Sequence, residues 1–396
     1  MENEIKKILN AKPKEDHKFW DTMPVPKLTE QVKDEGPIEL RQLPEVKKEP
    51  YALPEGFEWV VFDITNPTDL HSVYQFLKDN YVEDDEGMFR FHYQKEMIQW
   101  ALLIPGYFKD WHIGVRVTKN KKIVGFISGT PGELVIHGKK MKVCEINFLC
   151  VIAQMRGDRL ASVLIKEITR KVNLKNIWQA VYTAGPKIPK PVSETRYYHR
   201  ILDLKKLSAV GFTYIRKNLS LASQLKLLKV KEEFITPGLR LMKESDVPQV
   251  HKLLNEFQQK FKIHFEYSLD EVKHLMLPLK NVLRSFVVEK DGKVTDFASY
   301  YIVPSSVLKH ETIKEFVSGY VYYYSNPVTP MAELVADMLA DAKKLEIDVM
   351  NSLNIMENQK FFDDLRFGVG DGCLYYYLFN WKIPDLKPEE IGVVLV

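Results

Sequence analysis

An almost unbroken apolar run, Val143 to Val151, is interrupted only by Glu145 and Asn147 and leads directly into Ile152-Ala-Gln-Met-Arg-Gly-Asp-Arg-Leu-Ala161. A strand, a short Arg/Gly loop and a helix start form a cradle for a pyrophosphate. Free backbone N–H groups and the positive end of the helix dipole both face the anion. Arg156 and Arg159 would add charge-assisted bonds. A surface turn carrying two arginines reads the same way, so the loop decides nothing alone. Asn147, in a strand this apolar, needs a hydrogen-bond partner whether it is structural or handles a substrate. Cys150 invites reading as a nucleophile, but it has no base near it in sequence and reads as a small core residue.

The elements that must hold these residues alternate from Phe57 onward. Trp59–Phe62 reads as a strand. Leu70–Tyr81 has apolar residues at helical spacing. Trp111–Val117 and Ile123–Ser128 form a hairpin around Lys119–Lys122, Val143–Val151 is a central strand, and Leu160–Val172 is a helix. The order then returns. Ile64–Leu77 resembles Leu241–Leu254, Val115–Ser128 resembles Val287–Ser299, and Leu160–Val172 resembles Met331–Lys344, at a spacing of about 170–180 residues. A duplication follows, with a 55–225 half and a 226–396 half that can still share one sheet. Tyr324–Pro330, the counterpart of the Arg/Gly loop, has neither arginine nor glycine. The first half is therefore expected to bind the anion and the second to serve an acceptor. Residues 1–54, with Pro24, Pro26, Pro37, Pro44, Pro50 and Pro54, read as an extended arm docked by Phe19-Trp20.

Composition removes several classes. The 396 residues are 45% hydrophobic and 28% charged with a net charge of +3, which is ordinary globular usage without a basic run for nucleic acid. No apolar stretch is long enough to span a membrane, and the N-terminus does not read as a signal peptide. Glu2, not glycine, follows Met1, so the chain is not itself a candidate for N-terminal myristoylation. The three cysteines, Cys144, Cys150 and Cys373, lack zinc-site spacing. A metal-free cytoplasmic monomer is the expectation.

Several segments, taken together, are specific. Glu145-Ile-Asn-Phe-Leu-Cys150 and Arg366-Phe-Gly-Val-Gly-Asp-Gly372 resemble the two signature segments of the N-myristoyltransferases, the second with Arg in place of the usual Lys. Phe19-Trp-Asp-Thr22, Asn80–Asp85 with Phe89-Arg-Phe91, Ile177–Ala180, Tyr182–Gly185, Pro189–Val192, Arg196–Arg200 and Ile391–Val396 match as well, covering about residue 17 to the end. The Arg-x-x-x-x-Ala pattern of the loop is similar to the CoA loop of the wider GCN5-related acyltransferases. The resemblance implies an α/β (α+β) fold of two pseudo-twofold-related GCN5-like halves around a saddle-shaped mixed sheet. It also implies transfer of a myristoyl group from myristoyl-CoA to an N-terminal glycine amine.

That reaction needs a neutral amine, whereas an α-amino group has a pKa near 7.7–8.0. In the family the terminal carboxylate takes the proton, which here means Val396; an α-carboxyl ionises near 3.3–3.7 and can bind the ammonium first. The resemblance further implies an oxyanion hole from the Phe148 and Leu149 N–H groups, with Asn147 and Thr183 positioning the amine. Acyl-CoA contacts carry over to His17, Lys18, Phe19, Trp20, Phe148, Leu149, Cys150, Val151, Arg156, Gly157, Asp158, Arg159, Leu160 and Ala161. Peptide contacts carry over to Tyr81, Asp84, Glu86, Phe89, Phe91, Gly185, Tyr197, His199, Ser305, Asp371, Gly372 and Leu374. The acidic run Glu83–Glu86 would attract a basic residue of the acceptor. His199, Asp371 and Gly372 would receive a small hydroxyl side chain.

The loop departs from the family pattern Leu-Cys-Val-His-Lys-x-Leu-Arg-Ser-Lys-Arg. Ile152–Met155 lacks its basic start, and Gly157-Asp158 replaces Ser-Lys. Weaker or more salt-sensitive CoA binding is expected. Met23 stands where Gln is common. Two other readings remain: a small-acyl N-acetyltransferase, which competition between acetyl-CoA and myristoyl-CoA would separate, and a module that binds acyl-CoA or acylated tails without turnover.

Overall fold

The computed structural model describes residues 19–84, 86–157 and 159–396. Its first half runs β1 (Phe57–Val61), α1 (Pro67–Asn80), β2 (Phe89–Phe91), α2 (Lys95–Leu102), β3 (His112–Val117), β4 (Ile123–Ile136), β5 (Lys139–Val151), α3 (Leu160–Asn173), β6 (Gln179–Ala184) and β7 (Ser193–Ile201). A connection with α4 (Leu204–Ala209) and α5 (Leu221–Leu227) leads on. The second half runs β8 (Leu239–Leu241), α6 (Val247–Gln258), β9 (Ile263–Phe265), α7 (Leu269–Met276), β10 (Leu283–Lys290), β11 (Lys293–Val307), β12 (Glu315–Ser325), α8 (Met331–Lys344), β13 (Val349–Leu353), α9 (Gln359–Phe362) and β14 (Gly368–Phe379), with β15 (Ile391–Gly392) closing the chain.

The strand order β1-β3-β4-β5-β6-β14-β7-β13-β12-β11-β10-β8 is a palindrome of the repeat. Each half gives its last strand to the other, since β14 lies beside β6 and β7 beside β13. The exchange recurs at the edges, where β2 pairs with β11 and β9 with β4. Neither half can close its own sheet, so the pseudo-twofold expectation holds within one continuous mixed sheet. The 225/226 division drawn from the sequence passes through α5.

Local sequence explains where elements start. Asn66 accepts from the N–H groups of Thr68 and Asp69 ahead of Pro67, which caps α1. Ser268 and Glu271 form a capping box on α7. The sequence reading stopped β4 at Ser128, but the strand continues to Ile136. The missed signal is His137-Gly138, a two-residue turn with φ of +46° and +79°, the geometry that matches strand twist. That extra length is what β9 pairs against. Residues 19–54 lie extended across both halves: Asn380 N–H donates to the Pro24 carbonyl, and the Tyr51 N–H donates to Glu167 on α3. Trp20 stacks on Tyr182 at 5.8 Å, the expected docking point. Among the described residues no helix is long and apolar enough to cross a membrane, and no group of three or more His, Cys, Asp or Glu is placed to hold a metal.

Candidate active site

β4 and β5 pair Ser128 with Asn147 and, further on, Phe126 with Cys150. Ile127 therefore faces both Phe148 and Leu149 across a β-bulge, which takes main-chain groups out of the ladder and re-aims the strand. Phe148 sits at φ +54°, a left-handed conformation that is costly for a bulky residue and persists where its surroundings over-determine it. Here its ring is buried against Tyr93 (5.1 Å) and Tyr81 (5.8 Å). The Phe148 N–H donates to Asn147 Oδ1 at 2.8 Å, and Asn147 Nδ2 donates to an oxygen of Val396. One side-chain amide thus ties the bulge to the chain end.

The chain end is fixed from several sides. Ile391–Leu395 are buried. Tyr376 donates its hydroxyl to the Val393 carbonyl at 2.8 Å, and the Val394 N–H donates to the Tyr323 hydroxyl at 3.0 Å. Burial pushes both phenols above their usual pKa, so they stay neutral donors and acceptors.

β5 and β6 run parallel but share only the pairs from Val143–Gln179 to Glu145–Val181, after which they part. The opening belongs to a chamber of about 1730 Å³, walled by Asn147, Phe148 and Leu149 on β5, by Thr183 and Gly185 beyond it, and by Val396. Tyr81, Asp84, Glu86, Phe89, Phe91, Tyr197, His199, Asp371, Gly372, Leu374 and Trp20 also line it. Ser305 does not: it is buried where β11 pairs with Phe91 and Phe316.

Within the acidic run, Asp84 Oδ1 accepts from the N–H groups of Met88 (2.7 Å) and Phe89 (2.6 Å), and Glu83 pairs with Arg90. Glu86 is exposed at the chamber. Asp85 lies outside the described residues. Across the chamber, His199 Nδ1 donates to Asn351 Oδ1 at 2.7 Å, which leaves Nε2 as an acceptor. Burial lowers the His199 pKa, keeping the ring neutral. A Cβ on Gly370 would stand 2.2 Å from that Nε2, so only glycine lets the loop approach it.

The residues expected around CoA divide. Phe19, in the arm beside Lys166 of α3, lies outside the chamber lining, as do Cys150, Val151, Arg156, Gly157, Arg159, Leu160 and Ala161 around the end of β5 and the first turn of α3. Arg159 precedes α3 at φ +62°, and no side chain caps that helix. Arg156 is already engaged, donating to the carbonyls of Asn80 (2.7 Å) and Val151 (3.1 Å). The Cys150 thiol faces the same Asn80 carbonyl, and burial pushes its pKa up to about 12, the opposite of what a nucleophile requires. His17, Lys18 and Asp158 lie outside the described residues.

Sequence reasoning missed Tyr323, Tyr376 and Asn351. Their signal was faint: polar atoms on otherwise apolar strands, visible only once β12, β13 and β14 are brought beside the chain end and His199.

Comparison with known proteins agrees with this geometry. The model for the N-terminal domain of myristoyl-CoA:protein N-myristoyltransferase matches residues 37–195, and that for the C-terminal domain matches 209–394. Glycylpeptide N-tetradecanoyltransferase 2 of Danio rerio is 46% identical over 390 residues, covering 98% of this chain and 79% of its own. Glycylpeptide N-tetradecanoyltransferase of Dictyostelium discoideum is 46% identical over 397 residues, covering 98% and 94%. The crystal structure of Saccharomyces cerevisiae N-myristoyltransferase with bound myristoyl-CoA superposes with a TM-score of 0.92 at 38% identity, over 96% of this chain and all of that one. With the bulge, the anchored chain end and the chamber already assembled, these matches identify the chain as a member of the myristoyl-CoA:protein N-myristoyltransferase family.

Proposed function

We propose that this chain transfers the myristoyl group of myristoyl-CoA directly to the N-terminal glycine amine of an acceptor protein, with the Val396 carboxylate as base. The observation that carries the reading is the Asn147 amide, which bonds both Val396 and the bulged Phe148 N–H in the wall of the chamber. A proton acceptor and a main-chain donor are thereby held beside one another.

The incoming ammonium binds the Val396 carboxylate and loses a proton to it. Asn147 and Thr183 orient the amine for attack on the thioester carbonyl. Negative charge developing on the carbonyl oxygen is met by the N–H groups of Phe148 and Leu149. The acyl oxygen takes the Phe148 N–H from Asn147 Oδ1, so the Asn147 amide turns wholly toward the amine. Near Gly185 the chamber has room beyond any Cβ, whereas Tyr81, Phe91 and Tyr197 form an aromatic wall along the peptide path. CoA phosphates lie at the uncapped start of α3 with Arg159.

The test supplies labelled myristoyl-CoA with paired peptides beginning Gly or Ala, using the protein as it stands and a form extended by a few residues after Val396. Label should enter the Gly peptide alone, and the extension should cut turnover at least a hundredfold while acyl-CoA still binds. An extended form as fast as the original rules out the Val396 base.

A further inference from the structure

The Val396 residue faces two spaces. Besides the reaction chamber it lines a second cavity of about 40 Å³, and among the described residues it is the one residue common to both. Glu145, Thr130, Tyr267 and Tyr322 line the small cavity, and Glu133 and Glu266 lie where it approaches the surface. Glu145 and Asn147 are two apart on β5, before the bulge, so they leave the same face of the strand. Thr130 stands directly across from Glu145 in the β4–β5 register. Glu133 is half-buried and Glu266 exposed, and both pair with Lys140.

The reaction itself requires an exit for a proton. The nitrogen enters as –NH3⁺ and ends as an amide N–H, losing two protons, while the CoA sulfur leaves the carbonyl carbon with the bonding pair and takes up one. Each turnover therefore releases one proton. At that moment the acyl chain and the peptide occupy the chamber, and the carboxyl of Val396 must be emptied before the next cycle.

We propose that Glu145 is the relay that accepts the proton from Val396 and passes it through the small cavity to solvent at the Glu133–Glu266 rim. This inference rests on the reading of Val396 as the base. A space of this size holds a water able to bridge two carboxyl groups. The groups around Glu145 are the phenols of Tyr267, Tyr322, Tyr323 and Tyr376, each with a pKa raised by burial and so neutral, and the carboxyl groups of Glu133, Glu266 and Glu271, which line the same cavity. No cation among the described residues pairs with Glu145. Burial alone lifts its carboxyl from 4.5 to about 7, the range in which a group both takes and returns a proton near neutrality.

The experiment measures single-turnover rates of the full chain from pH 5.5 to 9, so that product release does not mask the step, for the unaltered protein, Glu145→Gln and Glu145→Asp. Myristoyl-CoA affinity is measured in parallel. The Gln variant should be at least tenfold slower at pH 7, lack the loss of rate on acidification below about pH 7, and bind myristoyl-CoA within twofold of the original. The Asp variant should keep part of the rate and the acid limb. An unchanged rate and profile in Glu145→Gln overturns the relay, as does a loss of acyl-CoA affinity equal to the loss of rate. If Glu145→Gln fails to fold, Ala101→Leu, which narrows the small cavity from α2, decides the matter: a slowed turnover supports the relay and an undiminished one refutes it. Extension beyond Val396 separates the two readings, because it should stop turnover at every pH. A silent extension removes the base, whereas a damaging extension with an indifferent Glu145→Gln removes only the relay.

Discussion

The Val394 N–H donates to the hydroxyl of Tyr323 at 3.0 Å, so a tyrosine from β12 of the second half fixes the orientation of the last residues. Tyr322 and Tyr323 both face Ser299 across a bulge between β11 and β12, the counterpart of the bulge at Phe148 and Leu149. Duplication has thus supplied two irregularities. One lies in the wall of the chamber, and the other supplies an anchor for the chain end.

Removing that anchor should affect rate more than substrate binding. In Tyr323→Phe the buried Val394 N–H loses its acceptor, a cost of about 1–3 kcal/mol. In Tyr376→Phe the Val393 carbonyl loses a donor. Each variant is expected to lower the single-turnover rate about tenfold with KM for both substrates nearly unchanged. The double variant should fall short of the product of the two effects, because both tether one segment. Steady-state and single-turnover kinetics on the three variants check this, and a rise in KM with normal turnover would count against anchoring.

Periodicity and spacing are local properties, and they exposed the duplication and the central strand; the chemistry expected at the end of the chain came from the family resemblance alone. The sequence did not expose the exchange of β7 and β14, which depends on a register between residues such as Tyr376 and Ser193 that nothing local encodes. Arg156 shows the same limit. Its type and place promised a phosphate contact, yet its guanidinium donates to Asn80 and Val151. Glu145 was visible only as a polar interruption, and the small cavity it shares with Val396 emerges from packing.

Selection of the acceptor should pass through His199. With Nδ1–H committed to Asn351, the neutral ring offers Nε2 to a hydroxyl on the peptide. His199→Phe keeps the edge contact with Phe212 and removes the acceptor. Comparing peptides with Ser or Ala at successive positions, one position should show a Ser preference in the original enzyme that falls about tenfold in the variant, the worth of one hydrogen bond to a buried group. Asn351→Leu should halve the preference or more by freeing the tautomer. Gly370→Ala, which crowds Nε2, should raise peptide KM while myristoyl-CoA binding holds.

Acid sensitivity should reside partly in His112. Burial, outweighing the nearby Leu102 carbonyl and the Asp63 and Asp110 carboxylates, depresses its pKa from 6.5 to about 4. The unfolded chain therefore binds an extra proton between those values, and stability falls as pH drops through that window. By pH 5 the loss is about 2 kcal/mol. His112→Phe, which retains the stack on Tyr107, should shift the urea midpoint little at pH 7.5 and raise it at pH 5 relative to the unaltered protein. Parallel pH profiles for the two proteins would exclude His112 as the source.

Affinity for myristoyl-CoA should respond to the charge of the loop before α3. Gly157-Asp158 stands where the family has Ser-Lys, and Arg156 is held by main-chain carbonyls, so few free charges face a polyanion. Asp158→Lys changes the local charge by two units. Attraction between exposed charges is screened within about 8 Å at physiological salt, so the gain should be largest in dilute buffer. Myristoyl-CoA should bind the variant several-fold more tightly at 20 mM salt, with the advantage shrinking toward 500 mM and the turnover of bound substrate unchanged. Equal affinity of the two proteins across that series would mean that the CoA phosphates take their binding from main-chain N–H groups at the start of α3 and not from side-chain charge.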